Sequence, residues 1–222
     1  MEPPLPQGPP SASLREAFGD IDIYLFDQLL RGRFDGARTV LDAGCGGGRN
    51  LVWLLRAGFH VHAVDRDARA VERVRRMAAE LAPALPPDNV RVAEADALPF
   101  AGASMDVVIS SAVLHFAADP AHFGRMVDEM WRVLRPGGML FARLASNIGI
   151  EARVRPAGDG RYQLPDGSER FLVDEAGLLA RTEALGGELL DPIKTTNVQN
   201  LRAMTTWVVR KRGSPAGAAV PG

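Results

Sequence analysis

The chain has 222 residues, a formal net charge of −1, and 46% hydrophobic against 24% charged residues. This length is enough for one full-sized domain with a buried core, and the near-zero net charge gives no overall attraction to nucleic-acid phosphates. A single cysteine, Cys45, excludes an internal disulfide and any metal site built from several thiolates.

Both ends of the chain are rich in Pro, Gly, Ala and Ser and offer little to bury. We expect disordered tails at 1–13 and 213–222, flanking a single domain over 14–212. No apolar run approaches the roughly 18 residues of a membrane-spanning helix, and the first thirteen residues lack the basic and apolar segments of a secretory signal. We therefore expect a cytoplasmic protein that does not span a membrane.

Between the tails, short apolar runs alternate with amphipathic stretches, which is typical of a parallel sheet covered on both faces by helices. In chain order the pattern predicts a strand at 39–42, a helix at 51–55, a strand at 61–64, a helix at 69–81, and strands at 90–93 and 107–110. Then follow a helix from Pro120 to before Pro136, a strand at 139–144, a helix at 174–185, and strands at 188–195 and 204–211.

The last two predicted strands are too close together for a crossover helix, so we expect them to pair antiparallel. The predicted fold is therefore α/β. It is a doubly wound, mostly parallel seven-stranded sheet with helices on both faces and an antiparallel C-terminal strand.

A glycine-rich loop, Ala43-Gly44-Cys45-Gly46-Gly47-Gly48-Arg49-Asn50, connects the first strand to the following helix. Glycines let a ligand approach the main chain, and the helix start offers free N–H groups, although a glycine turn without a ligand is the alternative. The dinucleotide pattern G-x-G-x-x-G fails, because its third glycine falls on Arg49 or Leu51. Asp42, directly before the loop, suits a cationic ligand better than a pyrophosphate.

Asp42 followed by Gly44, Gly46 and Gly48 resembles the first motif of class I SAM-dependent methyltransferases, in their methyltransferase domain 11/25-like small-molecule branch. The resemblance covers roughly residues 39–144. It implies S-adenosylmethionine (SAM) as cofactor and S-adenosylhomocysteine (SAH) as product. It also implies that the loop backbone packs on the methionine part of SAM and that Asp42 holds its ammonium group, directly or through water. Cys45 is expected to pack as a small residue of the loop.

Further cofactor contacts are expected beyond the loop. Asp65 ends the second strand about twenty residues past the loop, where a carboxylate accepts from ribose hydroxyls; the alternative is a helix cap, for which Asp67 is better placed. Arg66 would flank adenine. The resemblance implies that Asp96 accepts from the adenine amino group and that the Ala97 backbone contacts the ring, with a surface turn as the alternative. Two more residues complete the predicted set, Asn50 after the glycines and Ser110 at the end of the fourth strand.

Methyl transfer is an in-line displacement in which alignment supplies much of the catalysis and a general base is optional. If a base is needed, His115 after the fourth strand is our candidate, and a packed histidine or a cofactor contact is the alternative. Tyr24, upstream of the first strand, is predicted either to cover the cofactor or to belong to a packing helix.

Residues 146–171 follow the fifth strand and form a possible substrate-side insertion. Arg153, Arg155 and Arg161, together with Tyr162, could receive an anionic acceptor, and a solvated hairpin explains them equally well.

For the acceptor, a small molecule is favoured. The Gly48-Arg49-Asn50 run is similar to tellurite-resistance and thiopurine methyltransferases, and the Asn/Asp-Pro-Pro-Tyr signature of amino-methylating nucleic-acid enzymes is absent. An rRNA or tRNA methyltransferase and a non-catalytic SAM-binding protein are the alternatives, together with a nucleotide-dependent oxidoreductase from a different class.

Overall fold

The structure is a computed structural model that describes residues 13–213. The predicted tails lie outside this range, apart from Ser13 and Gly213. Ser13 is the N-cap of the first helix: its hydroxyl accepts from the Glu16 N–H at 3.2 Å, and the Glu16 carboxylate accepts from the Ser13 N–H at 2.6 Å. Within 13–213, no helix has the length and apolar character needed to cross a membrane.

Helices and strands alternate along the described chain. The helices are α1 (Leu14–Phe18), α2 (Ile23–Leu30), α3 (Val52–Arg56), α4 (Ala68–Leu81), α5 (Pro120–Val133) and α6 (Glu175–Ala184). The strands are β1 (Thr39–Ala43), β2 (His60–Asp65), β3 (Val90–Val92), β4 (Met105–Ser111), β5 (Leu134–Ser146), β6 (Arg155–Gly158), β7 (Arg161–Gln163), β8 (Glu169–Phe171), β9 (Gly187–Leu189), β10 (Lys194–Val198) and β11 (Arg202–Lys211).

The main sheet has the strand order β10-β11-β5-β4-β1-β2-β3, and β9 also pairs with β11. Strands β1 to β5 pair in parallel, whereas β11 runs antiparallel to β5, β9 and β10. Since β9 and β10 both pair with β11, on the edge that β5 does not occupy, the sheet has seven strand positions. The predicted doubly wound α/β fold with an antiparallel C-terminal strand is confirmed.

The observed strands β2, β3, β4 and β11 lie within two residues of the predicted bounds at each end, whereas two predicted strands differ by more. The predicted strand 188–195 is interrupted between β9 and β10, where Pro192 has no N–H to donate to a ladder. Strand β5 begins at Leu134 rather than at 139 because the Pro136-Gly137-Gly138 turn forms an irregularity beside β4 and pairing resumes at Met139. The insertion contributes a separate three-stranded antiparallel sheet, β6-β7-β8, which the sequence pattern did not predict.

Helices cover both faces of the main sheet. One core cluster contains Val71 and Val74 of α4, and the other contains Met126 and Met130 of α5. Both helices begin at a capping aspartate: Asp67, the predicted cap, accepts from the Arg69 N–H at 2.9 Å, and Asp119 accepts from the His122 N–H at 2.7 Å. These layers leave the carboxyl ends of β1, β2 and β4 side by side, where an open α/β sheet binds its ligand.

Candidate functional site

A cavity of about 490 Å³ opens at the carboxyl ends of β1, β2 and β4, within the usual size range of small-molecule sites. It is lined by the glycine loop, the end of β2, the segment after β3, the segment after β4 and the start of α5. The predicted site residues that line it are Gly44, Cys45, Gly46, Asn50, Asp65 and Arg66. The predicted residues outside the lining are Tyr24, Asp42, Gly48, Asp96, Ala97, Ser110 and His115.

The glycine loop is held open by backbone geometry that other residues rarely adopt. Gly44 has φ of 90°, and a Cβ there would overlap the side chain of Val113 across the cavity wall. The Gly46 N–H donates to Asp65 Oδ2 at 2.8 Å, and the Asp67 N–H donates to Asp65 Oδ1 at 2.9 Å. The Asp65 carboxylate therefore fixes the loop to the end of β2 and keeps acceptor capacity facing the cavity.

Asp42 lies beneath the loop with 1% of its surface exposed, and neither carboxylate oxygen has a hydrogen-bond partner among residues 13–213. Burial raises the pKa of Asp42 from 3.8 to about 7; the nearby Asp65 charge also raises the pKa, and Arg49 opposes the rise. A buried carboxylate without a partner destabilises the fold. Such a group is a candidate for binding a cationic ligand.

The end of the cavity predicted to hold adenine is formed by Arg66, by residues 93–95 and by His122. Asp96 lies behind His122: its Oδ2 is 3.6 Å from His122 Nε2 and 3.4 Å from Arg125 Nε. Ala97 also lies outside the lining. The Ala118 N–H donates to His122 Nδ1 at 3.1 Å, so the proton of the neutral ring is on Nε2.

Two predicted cofactor residues lie just behind the cavity wall. Ser110 is fully buried with an unpartnered hydroxyl, and the cavity instead reaches Ser111 and Ala112, the next residues after it. Gly48 faces α4, where a Cβ would lie 3.0 Å from Met77. Gly48 therefore allows the loop to pack closely against α4.

An arginine network beside the cavity was not predicted. Arg49, which lines the cavity, donates through Nη2 to Ser111 Oγ at 2.9 Å and to Asp22 Oδ2 at 3.2 Å. Arg143 Nη1 donates to the same Asp22 oxygen at 3.1 Å. Two guanidinium groups share one buried carboxylate, so the network has surplus positive charge at the cavity. The signal in the sequence was an arginine directly after the glycines.

Tyr24 lies on α2 outside the cavity lining. Its hydroxyl hydrogen-bonds Thr196 Oγ1, and its ring lies over the Arg143 guanidinium with Cζ 4.9 Å from the ring centroid. These contacts match the packing-helix alternative, and a role in covering the cofactor stays a prediction.

His115 is buried in a 3₁₀ helix, Leu114–Phe116, outside the cavity lining. The Ala145 N–H donates to His115 Nδ1 at 3.2 Å, so the neutral ring carries its proton on Nε2. Burial lowers the pKa of His115 to about 4, and the charge of Arg170 lowers it further. A neutral ring without a free lone pair matches the packed-histidine alternative better than the general base.

The four residues singled out in the 146–171 segment have separate environments. Arg161 is committed to structure, because it donates to Glu169 at 2.7 Å and to the Ala117 carbonyl at 2.8 Å. Arg153 and Arg155 are exposed to solvent, and Tyr162 packs in a small apolar cluster with Leu164. Of the three arginines, only Arg161 has a side-chain hydrogen bond within residues 13–213.

Comparison with known proteins gives one family match and many relatives. The model of a methyltransferase domain family matches residues 41–142. A ubiquinone biosynthesis O-methyltransferase from Mesorhizobium japonicum is 31% identical over 195 residues, which cover 80% of this chain and 69% of that protein. The uncharacterized methyltransferase YodH from Bacillus subtilis is 34% identical over 118 residues, which cover 53% of this chain and 45% of that protein. The chain thus spans about half to two thirds of the length of these curated relatives.

Solved structures show the same fold. A SAM-dependent methyltransferase from Methanosarcina mazei superposes with a TM-score of 0.67 at 20% identity, covering 84% of this chain and 98% of that one. A Burkholderia thailandensis 1,6-didemethyltoxoflavin-N1-methyltransferase gives a TM-score of 0.60 at 18% identity, with 93% of each chain covered. From the matched domain, the Mesorhizobium relative and the strand order, the chain belongs to the class I SAM-dependent methyltransferases.

Proposed function

We propose that this chain transfers a methyl group from SAM to a small-molecule acceptor. The observation that carries the proposal is the buried, unpartnered Asp42 carboxylate beneath a glycine loop that Asp65 ties to the end of β2. A ligand with an ammonium group, a carboxylate and a ribose meets complementary chemistry there: Asp42, Arg49 and Asp65 in turn. A dinucleotide would bring two phosphates close to Asp42 instead.

Different residues of the cavity would contact different parts of the cofactor. Asp65 would accept from the ribose hydroxyls, and Arg66 and residues 93–95 would flank adenine, with Asp96 reached past His122. The backbone at Gly44 and Gly46 would contact the methionine part. Ser110, Ala97 and Gly48 would act from behind this lining. When bound, SAM would supply an electrophilic methyl carbon. As the acceptor atom bonds to this carbon, the carbon–sulfur bond would break and its electron pair would stay on sulfur.

We infer that the chain aligns the two reactants and that its histidines do not remove the acceptor's proton. His122 lines the cavity, and its Nδ1 accepts from the Ala118 N–H; His115 Nδ1 accepts from the Ala145 N–H. Each neutral ring therefore carries its proton on Nε2. Neither imidazole offers a free lone pair. We infer an acceptor atom that is nucleophilic at neutral pH or passes its proton to solvent, consistent with catalysis by orientation.

A small acceptor fits the overall charge of −1, which gives no general attraction to nucleic-acid phosphates. The proteins named above include enzymes of ubiquinone biosynthesis and an N1-methyltransferase crystallised with 1,6-didemethyltoxoflavin and SAH. Their names support a small organic acceptor here, and a cytoplasmic location stays our prediction.

The test is calorimetric titration of the protein with SAH and, separately, with NAD. We expect micromolar binding of SAH and none of NAD. Asp65→Ala should weaken SAH binding by at least tenfold, because a charge-assisted ribose contact and the Gly46 anchor are both lost. Asp67→Ala is the matched control, since it removes a helix cap outside the cavity lining and should leave the SAH affinity unchanged. Preference for NAD, or equal effects of the two substitutions, would contradict the proposal.

A further inference from the structure

The inserted sheet β6-β7-β8 lies against the 3₁₀ helix that continues from β4 to the cavity wall. The anchoring contacts are the Arg161 bond to the Ala117 carbonyl at 2.8 Å and the stacking of Phe171 on Phe123 of α5, with ring centroids 5.1 Å apart. A parallel bridge between Ser146 and Val173 ties the following chain to the end of β5. The insertion therefore extends the carboxyl edge of the sheet beside the cofactor cavity.

Arg170, on β8, is a half-buried cation that forms no salt bridge within residues 13–213. Its one hydrogen bond within residues 13–213 runs from Nη1 to the Glu169 carbonyl at 2.7 Å, and no carboxylate lies within 4 Å of its nitrogens. The two acids of the same hairpin make their direct contacts elsewhere: Glu169 with Arg161 at 2.7 Å, and Asp166 with the Ser168 hydroxyl at 2.6 Å. Although burial opposes the shift, the Ser168 hydrogen bonds lower the pKa of Asp166 together with the charges of Arg202 and Arg170. Asp166 is therefore close enough to feel the Arg170 charge, but the two side chains are not in contact. The guanidinium fork of Arg170 thus keeps most of its N–H groups free.

Phe116 connects Arg170 to the cavity. Phe116 lines the cavity, and 49% of the residue's surface is exposed. Arg170 Cζ lies 5.1 Å from the centroid of the Phe116 ring, so the cation stacks on the aromatic face. Phe116 is the one aromatic among the exposed large apolar side chains of the described chain. An exposed ring at a cavity wall offers a flat apolar surface to a ligand.

His115, next to Phe116, adds a hydrogen-bond donor. With Nδ1 bonded by the Ala145 N–H, the proton of the ring is on Nε2, and no residue of 13–213 accepts it. His115 is buried but keeps 6% of its surface exposed, and Nε2 is not fully enclosed. The pKa of His115, lowered to about 4 by burial and by Arg170, keeps this donor neutral at pH 7.

We propose that Arg170, with Phe116 and the His115 Nε2–H, forms the acceptor subsite and selects an aromatic acceptor that carries an anionic group. The inference rests on the proposed function. The fork of Arg170 matches a carboxylate or another oxyanion in a bidentate pair, and the Phe116 face receives the ring. The arginines singled out from the sequence do not fill this role, because Arg161 is already bonded and Arg155 is solvated.

The test compares an acid with its neutral isostere on protein saturated with SAH. Calorimetry with 3,4-dihydroxybenzoate and 3,4-dihydroxybenzamide should give at least tenfold tighter binding of the acid to the wild type. Arg170→Met should reduce this preference to within twofold, and Arg170→Lys, which keeps the charge but not the fork, should retain part of it. Arg155→Met, an exposed arginine of the same insertion, should leave the preference intact.

Equal affinity for acid and amide in the wild type, no detectable binding of either, or a full preference in Arg170→Met would overturn the inference. SAH binding is measured first in every variant and should not change, because Arg170 lies outside the cofactor cavity. Failure of the wild type to bind SAH would instead count against the proposed function. If only the Arg170 variants lose the preference for the acid, and circular dichroism shows that they are folded, Arg170 acts in recognition of the acid and not in support of the fold.

Discussion

Replacing Asp42 with Asn should make the ligand-free protein more stable and the complex weaker. The carboxylate is buried without a partner, and its pKa rises from 3.8 to about 7. Between these two pH values the folded protein keeps a proton that the unfolded chain has released. Stability must therefore fall as the pH rises from about 4 to about 7, and an uncharged side chain of the same shape removes this fall.

The size of the effect follows from the two pKa values. A difference of about three pH units, at about 1.4 kcal/mol per unit, is a destabilisation of about 4 kcal/mol once the pH exceeds 7. Part of it has already developed at pH 5, so about 3 kcal/mol separates pH 5 from pH 8. For a domain of this size, 1 kcal/mol moves the melting temperature by about 2–4 °C. We therefore expect the melting temperature of Asp42→Asn, relative to that of the wild type, to be about 6–12 °C higher at pH 8 than at pH 5.

The assay is thermal unfolding of the wild type and Asp42→Asn at pH 5, 6, 7 and 8, without and with SAH. The variant should gain stability relative to the wild type as the pH rises, and SAH should stabilise it less. Wild-type affinity for SAH should fall about tenfold from pH 8 to pH 6, since about one tenth of Asp42 is ionised at pH 6. A difference in melting temperature that does not change with pH would refute the reasoning, because it would mean that Asp42 does not titrate in this range.

Two further substitutions test the loop and the network. Arg49→Met should weaken SAH binding by about 10- to 100-fold, the size expected for a hydrogen-bonded charge, whereas Arg56→Met, an arginine outside the cavity lining, should change calorimetric affinity less than twofold. Gly44→Ala should destabilise the protein more than Gly58→Ala by denaturant unfolding: both glycines have positive φ, but only at Gly44 would a Cβ meet another side chain, that of Val113. Similar losses for both glycines would show that backbone strain alone acts at Gly44.

The fold could be predicted because its signals are local. Each parallel strand is a short apolar run, and both α4 and α5 begin at an aspartate that caps them. Two strand bounds were predicted wrongly because single residues or short turns changed them. Pro192 interrupts the predicted strand 188–195, and the turn at 136–138 lets β5 start at Leu134. The strands of the insertion are three or four residues long, too short for alternation to identify them.

The candidate site was predictable only where one stretch of chain forms it. The glycine loop and Asp65 come from such stretches, and they line the cavity. The contact between Arg49 and Asp22 joins residues 27 apart, and the bond from Arg161 to Ala117 joins residues 44 apart. No spacing rule connects these pairs, because the sheet order and the insertion bring them together. Position along the chain alone therefore could not show that Arg161 is bonded.

The charges around the cavity explain why an unfavourable Asp42 is compatible with a stable fold. Asp22 is equally buried but is bonded by Arg49 and Arg143, so its charge is compensated within the protein. Asp42 has no such partner and holds its proton near neutral pH. A cationic ligand would pair with the ionised Asp42 and offset the destabilisation that the unpartnered carboxylate causes. Because the ligand binds only the folded protein, its binding stabilises the fold. The same linkage makes the affinity depend on pH, so one measurement on Asp42 tests both the stability argument and the cofactor assignment.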